Sequence, residues 1–152
     1  MKMYSDTYFN LATEAVERFD ALEMIHPLER AVYLDLGRRT GKTTAAIRLN
    51  SHFLSLGYNV IVVTANENLA RYIATGAMHS FSRGEVLNPI HRKSCVGRRR
   101  FMNKTFYESI DTDRETLVIF DEVVAKVEPY ADVLIWLRRH SKQVTTITLG
   151  MH

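Results

Sequence analysis

Four short apolar runs constrain this chain more than any other feature: AVYLDL (31–36), VIVVT (60–64), LVIF (117–120) and VTTITL (144–149). Each is too short for a helix, and the last three are rich in the β-branched residues that strands favour. The segments 42–56, 67–78 and 130–140 lie between them and carry helical spacing. Apolar strands that alternate with helices pair in parallel, and helices then cover both faces of the sheet. The expected fold is α/β, a three-layer αβα arrangement with a mostly parallel sheet. In such sheets ligands sit at the carboxyl ends of the strands. The residues that follow each apolar run therefore carry most of the functional information.

The remaining elements fit one domain over 1–152, with an N-terminal helical segment (1–28) and a core (29–152). Phe9, Ala12, Val16, Phe19 and Leu22 form a helical stripe within 5–25. Ser5 or Asp6 is placed to cap that helix, and Pro27 to end it. Gly57 stands where a helix-ending glycine belongs. Asn66 suits the N-cap of the 67–78 helix; the alternative for Thr64-Ala65-Asn66, implied by resemblance to translocating ATPases, is contact with nucleic acid. Trp136 falls on the apolar face of the 130–140 helix. Residues 79–116 are punctuated by Gly84, Pro89 and Gly97; Val86–Leu87 suggests a short strand and 99–110 a helix. A fifth strand is not expected, and the last run ends three residues before the terminus.

Composition narrows the class of protein. With 46% hydrophobic and 24% charged residues the chain is of globular type. No apolar run approaches the roughly 18 residues of a membrane helix, and Met1 to Asn10 lacks a signal-peptide core. The single cysteine, Cys95, has no internal partner for a disulfide and excludes a zinc site built from several cysteines. A reducing, cytoplasmic setting without a membrane is expected. The net charge is only +3, yet Arg83 to Lys104 holds seven Lys/Arg against one acid, Glu85. That segment is either a solvated loop or a polyanion contact, with Arg98, Arg99 and Arg100 as its densest part.

The first apolar run leads into Gly37-Arg38-Arg39-Thr40-Gly41-Lys42-Thr43-Thr44. This nearly matches the phosphate-binding loop G-x-x-x-x-G-K-[ST], except that Leu36 stands at the first position and the glycine comes one residue later. Such a loop turns successive backbone N–H groups inward around phosphate oxygens, and the helix that follows adds the positive end of its dipole. Lys42 is placed to reach the β- and γ-phosphates of ATP. The Thr43 hydroxyl suits a Mg²⁺ ligand, and Thr44 an α-phosphate contact. Arg38 and Arg39 are either solvent-exposed or a built-in arginine finger on the γ-phosphate.

The third run ends in Asp121-Glu122. A buried strand delivers both acids to the same sheet edge as the loop. Asp121 suits Mg²⁺, through a bound water, and Glu122 suits a general base toward attacking water. A base beside the metal acid favours hydrolysis over phosphoryl transfer to a substrate hydroxyl. His140 and His152 carry no comparable context.

Together these residues resemble the additional-strand, catalytic-glutamate class of P-loop NTPases, to which RecA-like ATPases, helicases and viral packaging motors belong. The likeness is nearest to the ATPase domain of phage terminase large subunits: DLGRRTGKTT (35–44) is similar to their arginine-bearing loop, VIVVTAN (60–66) to their second strand, LVIFDEV (117–123) to their acidic strand, and SKQVTTITLG (141–150) to their coupling strand. The resemblance covers about residues 30–150. It implies ATP hydrolysis coupled to DNA movement, ATP and Mg²⁺ as cofactors, DNA as partner, and self-association or a partner protein that completes the site. It favours Arg39 as the finger, Lys42 and Glu122 as catalytic, and Thr146 or Thr148 as coupling residues. The chain departs from that family in having no glutamine within 20–30, no proline in its coupling strand, and no nuclease domain. A stand-alone core is therefore expected. The alternatives are a nucleotide-dependent switch with little turnover, or a small-molecule kinase. Type II thymidine kinases share GKTT and an Asp-Glu strand, but their cysteine zinc lasso is incompatible with one cysteine.

Overall fold

A computed structural model describes residues 4–22, 30–37, 41–76, 94–121 and 127–150. In chain order the elements are α1 (Ser5–Ala21), β1 (Ala31–Leu34), α2 (Lys42–Ser55), β2 (Asn59–Thr64), α3 (Glu67–Gly76), β3 (Cys95–Gly97), α4 (Arg98–Phe101), α5 (Lys104–Tyr107), β4 (Thr116–Asp121), α6 (Val127–His140) and β5 (Val144–Leu149). The five strands form one sheet in the order β1-β5-β4-β2-β3, and every pairing is parallel.

Side-chain alternation sorts the core into two layers. Val60, Val62, Leu117, Ile119, Ile147 and Leu149 face α1, α2 and α3. Ile61, Val63, Val118, Phe120 and Val144 face the opposite way, onto Phe101 of α4 and Val133, Leu134 and Leu137 of α6. The protein is thus a three-layer αβα fold. The chain winds from β1 outward to β2 and β3 with α2 and α3 on one face. It then returns to β4 and β5 with α4, α5 and α6 on the other. A one-handed crossover forces this change of face when the winding direction reverses. Strand connections leave to opposite faces after β1 and β4, and in sheets of this kind ligand sites fall at such carboxyl ends.

Several sequence expectations require correction. A fifth strand exists: Cys95–Gly97 pairs with Val62–Thr64 at the sheet edge. Three residues give too little periodicity to register as a strand, and pairing with β2 alone defines it. The 99–110 helix is two short helices broken at Asn103, whose side chain accepts from the Thr105 N–H and restarts the second. Neither Ser5 nor Asp6 caps α1: Tyr4 is the N-cap without a side-chain bond, and Asp6 instead accepts from Arg48 of α2. α1 ends at Ala21, not near 25, because Leu22 turns extended. Its buried residues are Tyr8, Ala12 and Val16, so Tyr8 rather than Phe9 begins the stripe, and Leu22 is 58% exposed. β1 stops at Leu34, two residues short of the apolar run, and α6 starts at Val127, three residues before Tyr130. Pro129 fits that first turn, where no helical acceptor awaits its missing N–H. The expected Val86–Leu87 strand lies outside the described residues.

Other expectations hold. Gly57 follows α2 at φ +90. Asn66 caps α3, its Oδ1 accepting from the Leu69 N–H at 2.8 Å. Trp136 packs against Tyr107 of α5 on the α6 side of the core.

A buried arginine ties the amino edge of the sheet to α1. Arg30, 2% exposed, donates to Asp20 Oδ1 at 2.6 Å and to Thr145 Oγ1 at 3.1 Å, and lies over the Phe19 ring. The Tyr58 hydroxyl donates to the second Asp20 oxygen at 3.0 Å. Burial and then Asp20 itself push the Tyr58 pKa up, so the hydroxyl stays a donor through the ordinary pH range. Asp20→Ala strips the guanidinium of its counter-charge inside the protein. We expect a loss of about 3 kcal/mol, the low end for a broken buried pair because Asp20 is partly hydrated. Urea unfolding midpoints measure it, and a loss under about 1 kcal/mol would make the clamp no more than a surface pair.

Candidate functional site

The site grows from the carboxyl ends of β1 and β4. At β1 the ladder closes when the Gly150 N–H donates to the Leu34 carbonyl at 2.8 Å. The next backbone groups turn away from the sheet. The Leu36 N–H donates to the Tyr8 hydroxyl at 2.7 Å, and the Gly37 N–H to Asp35 Oδ1 at 3.0 Å. Gly37 has φ +107 and Gly41, the N-cap of α2, has φ +88. Both are left-handed positions that a residue with a Cβ adopts only under strain. The glycines are therefore set by backbone geometry, and the left-handed turn falls on Gly37, one residue later than in the motif.

Lys42 opens α2 and is 5% exposed. Its ammonium donates to the Gly37 carbonyl at 2.5 Å and lies 3.5 Å from Asp35 Oδ1. The lysine is thus folded back onto the loop entrance, its charge balanced there by Asp35. A buried lysine at a helix N-terminus runs against the dipole, which points to a role other than helix stability.

β4 supplies the acid. Asp121 ends that strand on the α2 side of the sheet, following Leu117 and Ile119 in alternation, and is 2% exposed. Its Oδ2 accepts from the Thr43 hydroxyl at 2.9 Å. Residues 78 apart in sequence are therefore joined, Thr43 from the first turn of α2 and Asp121 from the end of β4. A threonine hydroxyl and one carboxylate are hard oxygen donors, the kind Mg²⁺ takes from proteins when phosphates and water fill its other positions. The donor set fits that ion. Among the described residues no group of three or more His, Cys, Asp or Glu comes together.

Further along the same edge, Ala65, Asn66, Glu67, Gly97, Arg98 and Arg99 line a cleft of about 350 Å³. Gly97 fits there by close approach: a Cβ would lie 2.7 Å from the Asn66 carbonyl carbon and the Glu67 nitrogen. Its N–H donates to Glu67 Oε1 at 2.8 Å. Cys95, behind this cleft, is 3% exposed. Burial, then the charges of Asp121 and Glu67, push its thiol up to about 12. It stays a thiol at neutral pH and is no nucleophile.

The structure thus brings Gly37, Gly41, Lys42, Thr43, Thr44 and Asp121 to one end of the sheet. Arg38, Arg39, Thr40 and Glu122 lie outside the described residues. Thr146 and Thr148 are buried on the α6 face, opposite the face that carries Asp121, while Thr145 faces α1 and binds Arg30. The basic triplet divides: Arg98 and Arg99 line the cleft, whereas Arg100 lies 4.0 Å from Glu67 and over the Phe106 ring. Two contributors escape a motif reading. Tyr8 and Asp35 hold the loop entrance, and only the helical spacing of Tyr8 with Ala12 hints at its burial. No protein-family model matches the chain, and no curated protein does. No helix among the described residues is long and apolar enough to cross a membrane.

Proposed function

We propose that the chain binds ATP with Mg²⁺ and hydrolyses it, as the core of a nucleic-acid-linked motor of the packaging or helicase kind. The observation that carries this reading is the Thr43–Asp121 hydrogen bond beside buried Lys42. It joins a phosphate-type loop to an acidic strand end in the arrangement that Mg·ATP chemistry requires. Lys42 would meet the β- and γ-phosphates, Thr43 and Asp121 would hold the ion, and Glu122, next in sequence, would take a proton from the attacking water. The bound ion contributes charge neutralisation on the phosphates. Strand order supports the class as well: β5 lies between the loop strand β1 and the acid strand β4, where an additional strand belongs in the class this chain resembles.

The nucleic-acid part of the reading rests on the cleft that joins the end of β2 to Arg98 and Arg99. Both arginines are exposed, and among the described residues neither has an ion pair. Neutralising Arg98 and Arg99 together is expected to weaken DNA binding irrespective of sequence. It should also flatten the log–log salt dependence by roughly 0.9 per lost contact on duplex DNA. Arg100→Gln is expected to do less, since Glu67 and Phe106 already engage that side chain.

The test is steady-state ATP turnover with and without Mg²⁺ and DNA, across a protein dilution series with light-scattering mass. Mg²⁺-dependent turnover stimulated by DNA is expected, with specific activity rising with concentration if a neighbouring copy supplies the finger. Binding of Mg·ATP without turnover would instead identify a switch, and absence of binding would overturn the assignment.

A further inference from the structure

We infer that Tyr8 is a positioning residue of the phosphate loop, and that its hydroxyl bond to Leu36 is what allows a leucine at the loop's first position. This rests on the phosphate-loop reading above. A cradle is made of N–H groups that point at the ligand, so N–H groups already held by the protein are not part of it. Here the first two are held: Leu36 by the Tyr8 hydroxyl at 2.7 Å and Gly37 by Asp35 Oδ1 at 3.0 Å. The left-handed conformation that needs glycine falls on Gly37. Position 36 therefore neither faces the phosphates nor requires glycine, and the departure from the motif follows from the packing of α1.

α1 also packs along α2, the helix that follows the loop. Asp6 accepts from Arg48 of α2, the Arg48 guanidinium lies 4.6 Å from the Phe9 ring, and Phe9 meets His52 edge-on. Tyr8 is fully buried between these contacts. One helix thus holds the strand exit through Tyr8 and packs, through Asp6 and Phe9, on the middle and last turn of α2.

Tyr8→Phe removes only the hydroxyl and keeps the ring in the core. Two readouts are needed. In the protein without nucleotide, the Leu36 amide is expected to exchange with solvent roughly 2–10-fold faster, the range of one lost hydrogen bond. The dissociation constant for Mg·ATP is expected to rise by a similar factor, roughly 2–10-fold. Val16→Ala, a core truncation on the same helix, should lower the melting temperature but leave nucleotide affinity unchanged. Unchanged Leu36 exchange in Tyr8→Phe overturns the inference, as does unchanged affinity where the wild type binds, or an equal loss in Val16→Ala. A wild type that fails to bind Mg·ATP, with Leu36 exchange still responding to Tyr8→Phe, removes the nucleotide assignment and leaves Tyr8 as the anchor of this loop.

Discussion

Lys42→Ala is expected to weaken Mg·ATP binding by about 10²–10⁴-fold, from two charge-assisted bonds of roughly 1.5–3 kcal/mol each. Its surroundings add to that loss. Asp35 lies 3.5 Å from the ammonium. Without the lysine its carboxylate loses that positive neighbour at the loop entrance and repels the incoming phosphates more strongly. Lys42→Met keeps most of the buried stem and separates the charge from its packing. Equilibrium binding of a fluorescent ATP analogue, alongside a thermal melt, reads the effect. A folded Lys42→Ala protein with wild-type affinity would show that the lysine serves the loop's own structure, through the Gly37 carbonyl and Asp35, and not a nucleotide.

Glu122→Gln is expected to slow ATP turnover by roughly 10²–10⁴-fold, the usual worth of a general base, while affinity for Mg·ATP is kept. The carboxamide keeps the volume and a hydrogen bond to water but cannot accept its proton. The neighbouring position should respond differently. Asp121 is engaged with Thr43, so Asp121→Asn is expected to weaken Mg²⁺-dependent binding as well as turnover. Single-turnover hydrolysis with saturating nucleotide separates the two. Unchanged turnover in Glu122→Gln would assign water activation to another residue.

The acidic strand end shows how far a sequence carries. Alternation puts Asp121 in phase with Leu117 and Ile119. That phase sends Asp121 to the α2 side. The glycines are equally legible, since Gly37 and Gly41 take conformations that other residues reach only under strain. The basic triplet reads as one unit in the sequence, yet Arg100 is turned toward Glu67 and Phe106. Three like charges in a row carry no mark of which neighbour each will find.

What the sequence by itself determined is the set of local choices. Apolar β-branched runs became strands, amphipathic spacing became helices, Gly57 ended α2 and Asn66 capped α3. Each of these depends on a few adjacent residues and their own torsional preferences. Only the tertiary structure decided the strand order, which put β5 between β1 and β4 and set Thr43 against Asp121. It alone made a strand of Cys95–Gly97, which has no independent periodicity and exists by pairing with β2. The contact between Tyr8 and the loop arose the same way, because the tyrosine reads as one more apolar helical position until α1 lies against that loop. There the Leu36 N–H has left the sheet, and a polar group withdrawn from its ladder must find another partner.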